Sequence, residues 1–482
     1  MPGESRGKSL LCLTYIMLLE HYIDVTLPFL DRGPEKAQLD RLLAAPEGRF
    51  IVVYGCRRCG KSRLLQECLP GERTVYYAAD DREAPLQRVA LAAAVAERLP
   101  GFDRVRYPDW DALLSRIAAE APPGTVLAID EFPSLVRAAP ELPSLLQRLL
   151  DRRPRIGSHV VLAGSSQRLM QGLVLDRAAP LFGRADGLFP VGPLPAGWIS
   201  SALGLRTARA AIEAYSVWGG IPRYWELAAD FDTLDAAIRE LVLSPLGVLH
   251  DEPMALLLDD MRDPVQAASL LSLVARGAHR LSEIAARVEK PATSLTRPLQ
   301  RLIELGLVRR DLPFGSTVRD TKRTLYRVAD PFLRFWYRFV EPARSRLAAG
   351  QVEAEANRIH GTFSHHVGSI WEELARASVA HVTAFGHRWH PGSRWWGPGL
   401  DRAPMELDVV AESDDGRALL LAEARWGRNV DVRRLAIELR RKAAAFPFAG
   451  GRTVHLAAWL PIGRSTRDIK VFTARDVIRV LR

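Results

Sequence analysis

The sequence predicts an α/β protein built around a parallel sheet, with further helical and mixed domains behind it. Two observations carry this prediction. Short apolar runs at 49–55, 74–80, 125–132 and 159–166 alternate with stretches that have apolar residues at helical spacing, which is typical of a parallel sheet covered by helices. The chain has 482 residues, 48% hydrophobic and 25% charged, and is long enough for about three ordinary globular domains.

The first apolar run leads into GCRRCGKS at 55–62, which fits the pattern G-x-x-x-x-G-K-[ST] of a phosphate-binding loop. Gly55 and Gly60 permit the tight turn, Lys61 reaches the β- and γ-phosphates, and the Ser62 hydroxyl is placed to ligate Mg²⁺. The helical stretch KSRLLQECL follows, and a helix N-terminus favours anions. The segment therefore predicts binding of ATP with Mg²⁺. Only seven residues of the whole chain are lysines, so a lysine at this position is informative.

Cys56 and Cys59 give the same segment a C-x-x-C spacing, which also occurs in redox pairs and zinc sites. A zinc site would need two more ligands, and the remaining cysteines, Cys12 and Cys68, form no second C-x-x-C. We therefore expect variable positions of a phosphate loop, with a disulfide under oxidation as the open alternative. Four cysteines in a chain this long do not make a disulfide framework, which favours a reducing, cytoplasmic location.

The run TVLAIDEF ends in two carboxylates, as a Walker B strand does. Asp130 would hold Mg²⁺, and Glu131 would orient and deprotonate the attacking water. The run HVVLAGSS fits the strand that lies between the two Walker strands in space. We expect Ser165 or Ser166 at its end to sense the γ-phosphate, with simple capping of the strand end as the alternative.

Six segments in this order resemble the archaeal-type ATPases, prokaryotic relatives of the AAA+ and STAND NTPases. The resemblance covers about 27–345 and implies a five-stranded core with a helical lid. It also implies that Arg32 lies near the adenine and that Arg223, beside a G-x-P turn, reaches the γ-phosphate. Arg184 would be an arginine finger, which requires a homo-oligomer if it acts on another copy. The alternative is that Arg184 is a plain surface residue. The segments are FLDRGPEKAQLDRLL, VVYGCRRCGKSRLL, IDEF, LAGSSQRLM, PLFGRADGLFPVGPL and WGGIPRYW.

Residues 263–345 predict a winged helix, followed by the aromatic segment DPFLRFWYRFV as a buried joint. Pro298 interrupts the predicted recognition helix and could kink it. From 264 to 329, twelve Lys and Arg stand against five Asp and Glu, so most of the net charge of +10 lies here. This charge predicts contact with DNA, or a winged helix that packs on the ATPase domain as a brace. The side chains expected to face DNA are Ser294, Thr296, Arg297, Arg301, Arg309, Arg310, Lys322 and Arg323.

The last part of the chain resembles the core of the PD-(D/E)xK nucleases. In that core a helix Glu and two strand acids bind Mg²⁺, and the matching residues here are Glu372, Asp408 and Glu423. Arg425 stands where the family has lysine, and this exchange is not conservative because arginine stays protonated and is bulkier. The resemblance implies either a metal-dependent cleavage site, separate from the nucleotide site, or a nucleic-acid-binding or structural remnant.

Together these patterns predict an ATP-hydrolysing switch that contacts DNA. The alternatives are an ATP-gated nuclease and a DNA-binding regulator that holds nucleotide without turnover. The apolar run SLLCLTYIMLL is too short to span a bilayer, so no membrane role is expected. The predicted parts are an N-terminal extension at 1–26, a P-loop ATPase core at 27–190, a helical lid at 191–262, the winged helix and joint at 263–345, and a nuclease-like domain at 350–482.

Overall fold

The computed structural model describes residues 27–152, 157–261, 263–317, 323–427 and 429–482. The predicted N-terminal extension and Lys322 lie outside these residues. Within the described ranges, no helix combines the length and the apolar character needed to cross a membrane.

A five-stranded parallel sheet forms the first domain, as predicted. Its strands are β1 (Phe50–Tyr54), β2 (Thr74–Ala78), β3 (Val126–Asp130), β4 (His159–Gly164) and β5 (Gly187–Pro190). Their order is β2-β3-β4-β1-β5, and neighbouring strands run parallel. The strand β4 lies between β1 and β3, as the sequence predicted. The carboxyl ends of these three strands therefore meet at one edge, where ligands bind in open α/β sheets.

Helices pack on both faces of this sheet. The reason is visible in β3 and β4, which are buried along their whole length, as strands covered on two sides must be. Asp109 caps one of the helices, because its side chain accepts a hydrogen bond from the Ala112 amide. The helices of this domain are α1 (Gly33–Leu43), α2 (Lys61–Cys68), α3 (Ala84–Ala96), α4 (Trp110–Glu120), α5 (Phe132–Ala138), α6 (Leu142–Leu150) and α7 (Gln167–Val174).

Short helices form the lid that follows β5. A Cβ atom on Gly220 would lie 2.2 Å from the carbonyl oxygen of Leu194, so only glycine lets the lid pass this close to the chain leaving β5. Pro222 then begins the next helix, where its missing N–H costs nothing. The lid helices are α8 (Ile199–Ala202), α9 (Ala208–Trp218), α10 (Pro222–Ala228), α11 (Leu234–Ile238) and α12 (Glu252–Asp260), with a π-helical turn at Arg239–Leu243.

Three helices and a two-stranded antiparallel hairpin form the winged helix. The third helix runs through Pro298 without a break, so the expected interruption is confined to the one hydrogen bond that proline cannot donate. Leu295, Leu299 and Leu302 form the buried face of this helix. The elements are α13 (Pro264–Ala275), α14 (Leu281–Arg287), α15 (Ala292–Glu304), β6 (Val308–Asp311) and β7 (Leu325–Val328).

The aromatic segment after the hairpin is a buried joint, as predicted. Phe332, Phe335 and Trp336 are at most 2% exposed, and the Trp336 indole donates to the carbonyl oxygen of His250 at 2.7 Å. The segment therefore ties the lid to the last domain. Its elements are α16 (Pro331–Phe335), a π-helical turn at Trp336–Val340 and α17 (Arg344–Ala348).

The last domain has a second five-stranded sheet, of mixed direction. Its strands are β8 (Ser393–Pro398), β9 (Pro404–Glu412), β10 (Ala418–Ala424), β11 (Thr453–Leu460) and β12 (Lys470–Thr473). Their order in the sheet is β12-β11-β10-β9-β8. The strands from β10 to β12 run parallel, and β9 is antiparallel to both of its neighbours. The long helix before the sheet packs on the lid, where the His366 ring and the carbonyl oxygen of Ser216 lie 2.8 Å apart. The helices of this domain are α18 (Val352–Ser378), α19 (Val432–Ala445) and α20 (Ala474–Val480).

The hairpin of the winged helix packs on this last domain. Glu373 of α18 forms ion pairs with Arg309 of β6 at 2.6 Å and with Arg334 of α16 at 2.7 Å. Burial alone would raise the pKa of Glu373, but the guanidinium groups of Arg334 and Arg309 outweigh it and lower the pKa to about 2. Arg323 donates to the carbonyl oxygen of Trp396 in β8. The Glu373 carboxylate therefore stays ionised at neutral pH and holds the winged helix and the last domain together.

This contact corrects the predicted DNA face of the wing. Arg309 and Arg323 were expected to face DNA, but both are used in the contact with the last domain. These arginines bind the Glu373 carboxylate of α18 and the carbonyl oxygen of Trp396 in β8. A count of charges within the winged helix does not include these groups. Ser294, Thr296 and Arg297 of α15 remain exposed, as predicted, while Arg301 is half-buried and paired with Glu304.

Candidate functional site

The loop at 55–62 runs from the end of β1 to the start of α2. Gly55 has a φ of 155°, and a Cβ atom there would lie 2.0 Å from the carbonyl oxygen of Val191, so no other residue fits. Gly60 has a φ of 88° and immediately precedes α2, in the left-handed region that glycine adopts without strain. Both glycines of the motif are therefore required by the backbone itself.

Lys61 is held against the loop that it follows. Its ammonium donates to the carbonyl oxygens of Gly55 at 3.1 Å and Cys56 at 2.9 Å, and the residue is only 5% exposed. Two hydrogen bonds to the backbone fix the position of this buried charge. The charge is therefore already placed in the loop before any phosphate arrives.

Asp130 at the end of β3 collects three hydrogen bonds. Ser62 and Tyr76 each donate a hydroxyl to its Oδ2 at 2.6 Å, and the Glu131 amide donates to Oδ1 at 2.9 Å. Burial, reinforced by the hydrogen bond to Asp130, raises the pKa of the Tyr76 hydroxyl, which therefore remains a donor at neutral pH. The structure brings Ser62 and Asp130 together, as a shared Mg²⁺ site requires. Sequence reasoning missed Tyr76, whose signal is a hydroxyl on the strand next to β3.

Glu131 has an unusual backbone and a defined partner. Its φ is 49°, a left-handed conformation that is costly for a residue other than glycine and is found most often at functional sites. Its Oε2 accepts hydrogen bonds from the Ser165 hydroxyl at 2.9 Å and the Ser165 amide at 3.3 Å. Ser166 instead caps α7, accepting from the Leu169 amide. Of the two serines considered, Ser165 is the one that contacts the carboxylate.

Side chains of the loop, together with Glu131 and Ser165, line a cavity of about 340 Å³ between the loop, the lid and the segment before α1. Arg32 lies in its wall and donates to the carbonyl oxygens of Gly192 and Cys59, the latter at 3.4 Å. Arg223 of α10 lines the opposite side and pairs with Glu226 at 3.1 Å. Both arginines therefore line the cavity beside the loop.

Arg184 lies elsewhere. It precedes β5, at the amino-terminal edge of the sheet, whereas the loop is at the carboxyl-terminal edge. Its guanidinium donates to both carboxylate oxygens of Asp151, at 2.9 and 2.8 Å. Within one chain Arg184 does not reach the loop, so a finger role would act only on the site of a neighbouring copy.

Cys56 and Cys59 are joined by a disulfide, with their Cα atoms 5.8 Å apart. The sequence favoured two variable loop positions and left this bond as an alternative; the turn of the loop is what brings the two residues together. The described residues contain no group of three or more His, Cys, Asp and Glu side chains that could hold a metal ion.

Arg58, another variable position of the loop, connects it to the lid. It has a φ of 63° and forms an ion pair with Glu252 at 2.7 Å. Glu252 begins α12, is 3% exposed, and accepts a hydrogen bond from the Tyr224 hydroxyl at 3.0 Å. Burial raises the pKa of Glu252, which the charge of Arg58 opposes. The loop is thus attached to α12, the helix that precedes the winged helix. No local sequence pattern predicts this link.

The last domain carries a second acidic site. Asp408 on β9 and Glu423 on β10 are 7% and 2% exposed, and the Ala424 amide donates to Asp408 Oδ2 at 3.0 Å. Burial, with the charge of Asp408, raises the pKa of both Glu423 and Glu372. The described residues nevertheless contain no three such side chains close enough to share a metal ion. The three predicted carboxylates are therefore near one another without forming a three-ligand metal site among the described residues: Glu372 lies close to Asp408 and Arg376, and Glu423 contacts Lys442.

Lys442 of α19 supplies a lysine that the motif lacks. Its ammonium donates to Glu423 Oε1 at 2.6 Å and pairs with Glu438 at 3.2 Å. Arg425, at the expected lysine position, contacts the other oxygen of Glu423 at 2.8 Å. Sequence reasoning missed Lys442 because it lies 19 positions beyond the acid it contacts.

Three parts of the chain match known protein families. Residues 29–226 match a family described as an ATPase domain predominantly from Archaea, and residues 265–312 match the IclR helix-turn-helix domain. Residues 336–435 match a family described as archaea bacterial proteins of unknown function. The chain therefore carries an archaeal-type ATPase domain and a helix-turn-helix domain, while the last match assigns no activity.

Comparisons over longer stretches of the chain also find similar proteins. The chain is 26% identical over 423 residues to an uncharacterized protein of Methanocaldococcus jannaschii, covering 86% of this chain and 92% of that protein. Its structure is similar to a Walker-type ATPase of Pyrococcus abyssi, with 19% identity, a TM-score of 0.50, and coverage of 64% of this chain and 95% of that chain. An ORC2 protein of Aeropyrum pernix, solved in ADPNP and ADP complexes, shows 16% identity, a TM-score of 0.39, and coverage of 68% and 97%. The similarity to the Pyrococcus structure confirms the P-loop NTPase fold.

Proposed function

We propose that this protein is an ATP-hydrolysing switch whose nucleotide state sets the position of the winged helix. The observation that carries the proposal is the hydrogen bond of 2.6 Å between Ser62 and Asp130, which joins the two Walker motifs at one edge of the sheet. Ser62 and Asp130 would hold Mg²⁺, which neutralises phosphate charge when bound. Lys61, already fixed by two carbonyl oxygens, would contact the β- and γ-phosphates.

Glu131 is the proposed general base. Its carboxylate would accept the proton of the attacking water, and its hydrogen bonds to Ser165 would hold it in place until the γ-phosphate arrives. A serine that can donate either to Glu131 or to a phosphate gives the site two states. Hydrolysis is therefore proposed to depend on which acceptor the Ser165 hydroxyl has.

The same site is connected to the winged helix. Arg58 of the loop is paired with the buried Glu252 of α12, and the next helix of the chain, α13, begins the winged helix. A loop that changes on binding phosphate would shift this ion pair and, with it, α12. We propose this route for the switch, because packed helices with defined contacts move as units.

DNA contact is proposed through α15, whose exposed residues include Ser294, Thr296 and Arg297. We expect Arg297→Ala to weaken binding of duplex DNA about tenfold and to reduce its dependence on salt, since a phosphate or base contact by arginine is lost. The measurement is fluorescence anisotropy of a labelled duplex with a non-hydrolysable ATP analogue. Arg41→Ala, on an exposed position of α1, is the matched control. Equal affinity of the two variants would favour the winged helix as a brace.

A second candidate function is metal-dependent cleavage of nucleic acid by the last domain. The observation that favours it is Lys442, which contacts Glu423 where the sequence offered only Arg425. Asp408 and Glu423 would hold a divalent cation, which would neutralise charge on a phosphodiester. Lys442 would then orient the attacking water, the role that lysine has in the nuclease core.

The test of this second function is Mg²⁺-dependent cleavage of a DNA duplex. We expect Asp408→Asn to lower the cleavage rate about 100-fold or more, because a buried ligand charge is removed from the site. Asp401→Asn, at an exposed loop position, should cleave like the unmodified protein. Absence of cleavage by the unmodified protein with Mg²⁺ or Mn²⁺, or equal cleavage by both variants, would reject the nuclease proposal.

A further inference from the structure

We infer that Cys56 and Cys59 form a redox-controlled modification site inside the phosphate loop, and that the disulfide form binds nucleotide more tightly than the dithiol form. The inference rests on the proposed binding of ATP at this loop. It goes beyond that proposal by naming the oxidation state of the chain as an input to the switch. The pair belongs to no part of the proposed hydrolysis.

The loop geometry suits reversible bond formation. The two Cα atoms are 5.8 Å apart, within the range that a disulfide spans without backbone movement. Gly60 and Arg58 adopt positive φ values that create the turn, so the approach of the cysteines is set by the same backbone that forms the phosphate site. The dithiol form would therefore keep the two sulfur atoms within reach of each other.

The surroundings favour oxidation at this pair and not at Cys68. Cys56 is half-buried and lines a second cavity of about 400 Å³ between the ATPase core, the lid and the winged helix. Positive groups near a cysteine favour the thiolate, the form that reacts with oxidants, and the loop carries Arg57, Arg58 and Lys61. Cys68 is buried on α2, and burial raises the pKa of its thiol. Cys56 is thus the accessible member of the pair and would meet a small oxidant first, while Cys59 is 1% exposed and lies ready to form the disulfide.

The chemistry balances with hydrogen peroxide as the oxidant. The Cys56 thiolate attacks one peroxide oxygen, the O–O bond breaks, and a sulfenic acid and hydroxide result. The Cys59 thiol then attacks the sulfenic sulfur, forming the S–S bond and releasing water. Two electrons pass from the two thiols to the peroxide, and a dithiol reductant reverses the change by thiol–disulfide exchange.

The bond acts on nucleotide binding through the backbone of the two cysteines. The carbonyl oxygen of Cys56 accepts a hydrogen bond from Lys61, and that of Cys59 accepts one from Arg32. Both cations line the nucleotide cavity. A disulfide between these residues fixes the two carbonyl groups, and hence the two cations, relative to each other. The dithiol loop has more conformations, and binding must select one of them, which lowers affinity.

The test compares ATP affinity in two redox states of the full chain. The protein is treated with hydrogen peroxide or with dithiothreitol, the reagent is removed, and Mg²⁺-ATP is titrated by calorimetry; thiol counting by alkylation and mass spectrometry verifies each state. We expect the oxidised form to bind ATP about threefold to tenfold more tightly than the reduced form. Cys56→Ser and Cys59→Ser should bind like the reduced form under both treatments. Cys68→Ala is the matched control and should keep the redox difference.

Each outcome separates this inference from the proposed function. Equal affinity in the two redox states, tighter binding by the reduced form, or failure of the pair to lose its thiols with peroxide would overturn the redox site while leaving ATP binding intact. Absence of ATP binding in both states would instead contradict the proposed function. A redox difference that persists in Cys56→Ser would assign the effect to another residue and overturn the inference.

Discussion

Lys61→Ala should weaken ATP binding by one to two orders of magnitude. The lysine is the buried cation of the phosphate loop, 5% exposed and fixed by the carbonyl oxygens of Gly55 and Cys56. A hydrogen bond between charged groups contributes about 1.5–3 kcal/mol, so we expect the dissociation constant to rise about 10-fold to 150-fold. Calorimetric titration with Mg²⁺-ATP measures the change directly.

The control for this variant is Lys470→Ala, which removes an exposed lysine at the start of β12. It should bind ATP like the unmodified protein. Circular dichroism of Lys61→Ala then shows whether the loss is local, since an intact spectrum excludes unfolding as the cause. ATP affinity that is unchanged in a folded Lys61→Ala protein would show that the cavity beside the loop is not the nucleotide site.

Glu131→Gln should bind ATP but lose turnover. The amide keeps the size of the side chain and can still meet the Ser165 hydroxyl, but it cannot accept a proton from water. A positioned general base contributes about 10²–10⁴ in rate, so kcat should fall by that factor while the dissociation constant for ATP changes little. Phosphate release and calorimetry measure the two quantities separately.

Glu141→Gln is the matched control, because Glu141 is exposed and its side chain caps no helix. Its kcat should equal that of the unmodified protein. Asp130→Asn should instead lose the Mg²⁺-dependent part of its affinity for ATP. Asp130 accepts hydrogen bonds from the Ser62 and Tyr76 hydroxyls, whereas the proposed contact with the attacking water belongs to Glu131. Full turnover by Glu131→Gln would contradict the assignment of the base.

The parts of the fold that the sequence predicted are those encoded locally. The phosphate loop, its flanking strand and helix, and the carboxylates after β3 are each contained in fewer than about fifteen residues, and their geometry follows from glycine and strand-end rules. The position of β4 between β1 and β3 followed from its apolar run and polar end. The hydrogen bond from Ser165 to Glu131 was not predicted, because the sequence only suggested that Ser165 or Ser166 senses the γ-phosphate. Pro298 looked disruptive but costs only one hydrogen bond in a helix with three buried leucines.

The parts that the sequence did not predict are contacts between distant segments. Arg58 pairs with Glu252, Arg309 pairs with Glu373, and Lys442 pairs with Glu423. Arginine is abundant in this chain, so the partner of any one arginine cannot be assigned from composition. The charge of the wing therefore predicted contact with DNA, or a brace on the ATPase domain. In the structure, Glu373 of α18 neutralises part of that charge by pairing with Arg309. The Cys56–Cys59 disulfide could be proposed from spacing, but only the turn at Gly60 shows that the two residues meet.

The most direct test of the switch is phosphate release from ATP by the unmodified protein with Mg²⁺, with and without duplex DNA. The structure predicts slow release of phosphate that depends on Mg²⁺, that disappears in Glu131→Gln, and that changes when DNA is added because α12 links the loop to the winged helix. ATP that binds tightly but releases no phosphate in either condition would contradict hydrolysis and leave a regulator that holds nucleotide without turnover.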